Sequence, residues 1–283
     1  MVTIKNEKLT VKIAKLGAEL KSVEQNGKEF IWEGHPEIWA NSAPILFPIC
    51  GGLKEDKFVF EGKEYNLNKH GYVRNTVFEV EELKEDAVTF LHTSNGETKK
   101  CYPFDYELRV IFRLKNNSVE TEYNVTNTGD GKMYFSVGSH EGYATPEGIE
   151  NYDIIFPEKV TLNTSALYGN LVANTTYPVI KDTNVLPLYE SFFAVDALVF
   201  RNCPVKSAAL RNRKTGKKIT VDFPNATSLL FWHKPNAGYM CVEPWAGLPD
   251  VVGSSYDITE KEGIITLDGG KVYSDIHTIT FEE

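Results

Sequence analysis

Apolar and polar residues alternate with a period of two along most of the chain, the signature of strands with one face buried. Leu9, Val11 and Ile13 alternate with Thr10, Lys12 and Ala14. The clearest example runs from Tyr106 to Leu114, with Leu108, Val110, Phe112 and Leu114 on one face and Arg109, Ile111 and Arg113 on the other. A turn at Lys115-Asn116-Asn117 and a returning run from Val119 to Val125 complete a hairpin. Parallel sheets buried on both faces carry unbroken Val/Ile/Leu runs, so this pattern predicts antiparallel pairing with one solvated face. Turn signals recur from end to end: Asn26-Gly27, Glu61-Gly62-Lys63, Asn116-Asn117, Gly129-Asp130-Gly131, Thr215-Gly216 and Asp268-Gly269-Gly270. No window of a dozen residues keeps helical spacing, and only short helical turns are expected, near His35–Trp39 and Leu186–Tyr189. The Pro-containing segments from Thr145 to Pro157 and from Thr176 to Pro187 read as long loops. The fold expected is all-β, a large antiparallel β-sandwich, with residues 1–283 as one domain.

Composition and charge narrow the function without changing the fold. Hydrophobic residues make up 42% and charged residues 24%, as in ordinary globular proteins. With 30 basic against 39 acidic residues the net charge is -9, which repels a phosphate backbone, so no nucleic-acid partner is expected. The densest basic run, Arg211 to Lys218, sits over a hairpin turn. Four cysteines without a CxxC pair argue for free thiols and against a zinc motif. No stretch approaches the roughly 18 apolar residues of a membrane helix, and no apolar leader follows Met1. A cytoplasmic protein without membrane partners is the expectation.

Four segments combine titratable residues with glycines, prolines and aromatics that hairpins do not need. Pro44 to Lys54 is an apolar run ending in Gly51-Gly52, either a backbone approach to a ligand or a buried strand with a bulge. Lys69-His70-Gly71-Tyr72-Val73-Arg74 sets an imidazole and a guanidinium four residues apart. Phe135 to Tyr143 is a strand ending in small residues that expose His140, whose ordinary pKa of about 6.5 suits proton transfer. Leu229 to Gly247 holds two apolar strands around Pro235-Asn236-Ala237-Gly238, and the second carries Glu243. A carboxylate in such surroundings is desolvated, which raises its pKa toward the range of a general base. Pro244 is expected to stop that strand, and Trp245 offers an apolar face to a pyranose.

Taken in order, these segments resemble the aldose 1-epimerase (galactose mutarotase-like) superfamily, most closely its LacX-type branch, over nearly the whole chain. The resemblance is carried by Leu46-Phe47-Pro48-Ile49, His70-Gly71-Tyr72-Val73-Arg74, Gly138-Ser139-His140, Asp196-Ala197-Leu198-Val199-Phe200 and Cys241-Val242-Glu243-Pro244-Trp245 after Trp232-His233-Lys234-Pro235. It implies a β-supersandwich with a sugar in an open cleft and a hemiacetal opened and reclosed without cofactor or metal. By residue matching, Glu243 is the general base on the anomeric hydroxyl and His140 the general acid on the ring oxygen. His70, Arg74, Asp196, Trp245 and Lys54 are then substrate-binding.

The chain departs from that branch at two places. Gly52 stands where relatives commonly carry an arginine before the Leu-Lys pair, and Lys54 cannot reproduce a bidentate guanidinium. Glu141-Gly142-Tyr143 follows His140 in place of Pro-Ala-Phe-like residues; Glu141 raises the histidine's pKa if it faces the site and does little if it faces solvent. The leading expectation is a mutarotase acting on a small sugar, a neutral hexose in preference to a hexose phosphate, as a monomer or homodimer. The alternatives are a catalytically weak sugar-binding or sensory protein of the same fold, and a hydrolase or lyase using Asp196 with Glu243.

Overall fold

The computed structural model describes residues 1–282, and two antiparallel sheets dominate it. The larger has nine strands in the order Leu171–Pro187, Tyr152–Tyr168, Ser207–Asn212, Lys218–Asp222, Val272–Glu282, Ser118–Asn127, Tyr106–Lys115, Ala87–Thr93, Glu79–Leu83. The smaller runs Leu198–Phe200, Ser228–Trp232, Tyr239–Ala246, Val137–Ser139, Ile45–Leu46, with Glu141–Ala144 also pairing to Tyr239–Ala246. This is the expected β-sandwich. Its core gathers side chains from Val2 to Phe281.

The hairpin read from alternation is present as predicted. Tyr106–Lys115 pairs with Ser118–Asn127 in unbroken register, and its residues alternate between buried and half-buried. Only Asn116 and Asn117 form the turn, with Asn116 at φ +54°, a conformation asparagine tolerates. The basic run lies over the turn between Ser207–Asn212 and Lys218–Asp222, where Arg211 and Arg213 both bond Asp153.

Three expectations need correction. The supposed loop Thr176–Pro187 lies wholly within the strand Leu171–Pro187, and the last six residues of Thr145–Pro157 open the strand Tyr152–Tyr168. Leu171–Pro187 is the sheet edge, with only Val172, Ile180 and Leu186 buried, so it lacks period-two burial; edge strands and bulges also accommodate proline. Helical turns occur at Thr98–Cys101 and Glu190–Phe193, whereas His35–Trp39 is a turn closed by a bridge between its ends. Pro244 does not end its strand, which runs on to Ala246. Proline is tolerated there because the neighbouring chain breaks opposite it, between Val137–Ser139 and Glu141–Ala144.

All four cysteines are free thiols. Among the described residues no helix is long and apolar enough to cross a membrane.

Candidate active site

The break opposite Pro244 builds the site. Val137 and Gly138 pair with Ala246 and Trp245, and Glu141 pairs with Val242. The same register carried through the gap sets His140 directly opposite Glu243. Directly opposed residues share a face, so both side chains point to the open side of the smaller sheet. His140 Nε2 and Glu243 Oε2 stand 3.4 Å apart.

They lie in a cavity of about 350 Å³, a size suited to a small ligand. Its walls hold six of the seven residues singled out from sequence: Glu243, His140, His70, Arg74, Asp196 and Trp245. Lys54 is the exception. Its backbone N–H is held by Asp250 Oδ2 at 2.8 Å, and its ammonium sits over the Tyr256 ring at 4.3 Å, away from the cavity. Nor is there room for an arginine side chain at 52, because a Cβ on Gly52 would lie 2.6 Å from Asn170 Cβ. Asn170, at the tip of the long edge hairpin, lines the cavity there instead.

His70 has a fixed tautomer. Gly51 N–H donates to its Nδ1 at 3.1 Å, which leaves the proton of the neutral ring on Nε2. Burial holds its pKa well below the ordinary value, so it stays neutral as a hydrogen-bond donor. The strained conformation at His70, φ +70°, is held by its N–H bond to Gly51 O and by Gly71, whose missing Cβ would lie 2.1 Å from Phe47 O. Arg74 donates to Lys69 O at 3.0 Å, and Asp196 Oδ1 accepts from Ala197 N–H at 2.9 Å, leaving Oδ2 available.

Trp245 is not the open platform expected. It is 2% exposed, its Nε1 donates to Ser139 O at 3.0 Å, and its ring packs against Gly138 and edge-on to His70. The missed aromatics are Trp39 and Trp232, which both line the cavity and bracket His140 at 5.1 and 5.5 Å between ring centroids. Trp232 lay within the segment singled out by sequence; Trp39 comes from a turn held by Trp32 Nε1 on its carbonyl and Lys234 Nζ on Ile38 O. Lys69, also missed, lines the cavity near Glu243 and lowers its pKa, against the larger effect of burial. His233 is structural: its ring nitrogens contact Tyr239 O and Glu190 Oε2, at 2.7 and 3.0 Å.

Burial dominates the electrostatics of the central pair. Desolvation raises Glu243 well above the ordinary carboxyl pKa and lowers His140 to about 3. Both shifts disfavour the charged forms, so between the lowered imidazole value and the raised carboxyl value the two groups carry one proton between them. A sugar bridging the two supplies hydroxyls that stabilise charge and a path for that proton. His140, Cys241 and Glu243 bring donor atoms within 4.8 Å of one another. Burial pushes the Cys241 thiol well above its ordinary pKa.

The profile for aldose 1-epimerase matches residues 1–279. The chain belongs to the aldose 1-epimerase family. That family is one of isomerases, and this member is 33% identical over 97% of its length to protein LacX, plasmid form, of Lactococcus lactis subsp. lactis, covering 98% of that protein. A galactose mutarotase related enzyme from Lactobacillus acidophilus superposes with a TM-score of 0.94 at 33% identity, over 100% of this chain and 97% of that one. A galactose mutarotase-like protein from Lactobacillus casei gives the same TM-score at 28% identity over 100% of both chains. Both likenesses extend over the sheets, the cavity walls and the long edge hairpin of this epimerase-family chain.

Proposed function

We propose that this epimerase-family protein interconverts the α and β anomers of a hexose, with Glu243 as general base and His140 as general acid. The observation that carries the reading is the opposition of these two side chains at 3.4 Å in a cavity walled by aromatic rings. Glu243 takes the proton of the anomeric hydroxyl while His140 gives one to the ring oxygen, and the bond from C1 to that oxygen breaks. The free aldehyde turns about its C1–C2 bond. The two transfers then run in reverse on the other face, leaving the protein unchanged. General acid–base catalysis of this kind is worth about 10²–10⁴-fold.

His70 Nε2–H, Arg74, Lys69 and Asp196 orient the hydroxyls, and Trp39 and Trp232 cover the apolar face of the ring. Gly52 offers no arginine to clamp a phosphate, and Asp196 and Glu243 share the wall with Lys69 and Arg74, which favours an uncharged hexose over a hexose phosphate. Residues 1–283 act as one galactose mutarotase-like domain, supported by a core that takes side chains from both ends of the chain. Four free thiols support a reducing, cytoplasmic setting.

Polarimetry on freshly dissolved galactose, glucose and their 6-phosphates tests the reading. Faster approach to anomeric equilibrium with the neutral sugars is expected, and equal rates with and without protein across the panel would discard it. A sugar sensor is the second reading, supported by the closure of the Gly52 position against Asn170. It would give calorimetric binding without acceleration.

A further inference from the structure

Glu141 follows His140 in the chain and turns the other way. Neighbouring residues of a strand point to opposite faces, so Glu141 leaves the cavity side and enters the space between the two sheets. It is 4% exposed, and its Oε1 lies 2.9 Å from Nε2 of His277, also 4% exposed. His277 belongs to Val272–Glu282 in the middle of the nine-stranded sheet, so the contact crosses the interior. Interaction with Glu141 raises the pKa of His277 against the opposing effect of burial, which favours imidazolium beside carboxylate.

Stability alone does not account for such a pair. Two charges removed from water recover their desolvation only with good geometry and full hydrogen bonding, and apolar replacements are often neutral or stabilising. Here the second oxygen of Glu141 has no hydrogen-bond partner, and neither do the buried hydroxyls of Ser139 and Tyr143 on the same stretch of chain. What distinguishes Glu141 is its place. It pairs with Val242, one residue along from His140 and Glu243 on their two strands, so its charge sits directly behind both. Its field reaches Glu243 and Cys241 on the cavity side and Tyr123 and Tyr143 on its own.

We propose that Glu141, held by His277, is a positioning residue for the His140–Glu243 pair: it fixes the strand segment that opposes them and, as a buried negative charge behind them, retains the proton they share. This rests on the reading of that pair as the acid–base machinery. The other charged or titratable groups facing the pair are Lys69, Arg74, His70, Asp196, Cys241, Cys50 and Tyr239. Those facing Glu141 and His277 are Tyr123, Tyr143 and Asp275. Replacing Glu141 also removes the partner that holds His277 protonated, so what is lost is a carboxylate–imidazolium pair whose negative end lies nearer the cavity. Removing a negative charge lowers both proton affinities of the pair, whichever partner holds the proton.

The test uses the full chain as Glu141→Gln, which keeps the shape, and as the double variant Glu141→Leu/His277→Leu, which leaves no unpaired charge. Three measurements are made on each: pH profiles of kcat and KM by polarimetry, pH titration of the ¹⁵N-histidine signals of His140, and thermal melting. Both limbs of the kcat profile should move to lower pH by about half a unit, the effect at an effective dielectric near 20 of a carboxylate about 10 Å away partly offset by the imidazolium behind it. On the alkaline limb this is about a threefold loss of kcat at fixed pH. KM should be little changed, and the His140 signals should titrate at correspondingly lower pH. Profiles and His140 titration that match wild type, with only the melting temperature altered, would overturn the proposal. A wild-type protein that accelerates no sugar would remove the catalytic reading, while the His140 titration still decides the coupling: movement supports it and identity overturns it.

Discussion

Replacing Glu243 with Gln removes one proton site and leaves the volume of the side chain almost unchanged. Glu243 is 1% exposed, in the middle of Tyr239–Ala246, and faces His140 at 3.4 Å. Loss of the base costs about 10²–10⁴-fold in kcat, or about 3–5 kcal/mol of barrier. The amide still presents an acceptor and a donor to a sugar, so affinity by calorimetry should stay within about tenfold of wild type.

Stability moves the opposite way. Burial raises the pKa of Glu243 above its ordinary value of 4.5, so the folded protein holds this proton more tightly than the unfolded chain. The resulting stabilisation is fully present below the unfolded value and is lost as pH rises through the folded one. Gln has no such loss. Differential scanning calorimetry from pH 4 to 9 should therefore give a variant that gains on wild type as pH rises, where about 1 kcal/mol corresponds to about 2–4 °C. A polarimetric rate within about tenfold of wild type, or a variant that melts several degrees lower at pH 8, would refute the reasoning.

Other outcomes follow from the same geometry. Because His140 is lowered to about 3 and Glu243 is raised, the pair holds one proton over a broad interval. The acid limb of kcat/KM should accordingly lie well below the ordinary histidine pKa of 6.5; a limb at 6.5 would contradict it. Trp39→Ala and Trp232→Ala should each weaken sugar binding by about tenfold, near the 0.5–1.5 kcal/mol of an aromatic contact plus lost area, and unchanged calorimetric affinity would discard the aromatic wall. Gly52→Ala places a Cβ 2.6 Å from Asn170 Cβ and 3.1 Å from its carbonyl oxygen, so the hairpin tip must shift and sugar affinity should fall; equal affinity would show that Asn170 does not touch the sugar. Lys261→Met strands Asp250, whose other oxygen holds the Lys54 N–H, and should cost about 3–5 kcal/mol in denaturant unfolding, as expected for half of a buried pair.

How far the sequence carried depends on whether the deciding interaction is local. The Tyr106–Asn127 hairpin was legible because its alternation and its turn lie within one short segment. The edge hairpin was not, since strands exposed on much of their surface lose the alternation, and their prolines imitate loop signals. The proposed acid–base pairing is a matter of register between strands about a hundred residues apart; only the resemblance brings Glu243 and His140 together, and spacing cannot. Lys54 shows the limit of residue matching: Asp250, distant in sequence, holds its backbone N–H, and its ammonium lies over Tyr256 and not in the cavity wall. Glu141 lies between these cases. Its sequence leaves facing the cavity and facing solvent both open, yet strand alternation excludes the first once His140 faces the cavity. What alternation could not supply was the second sheet. Only there does His277 wait for the carboxylate, and a residue read as a possible intruder in the site becomes the charge behind it.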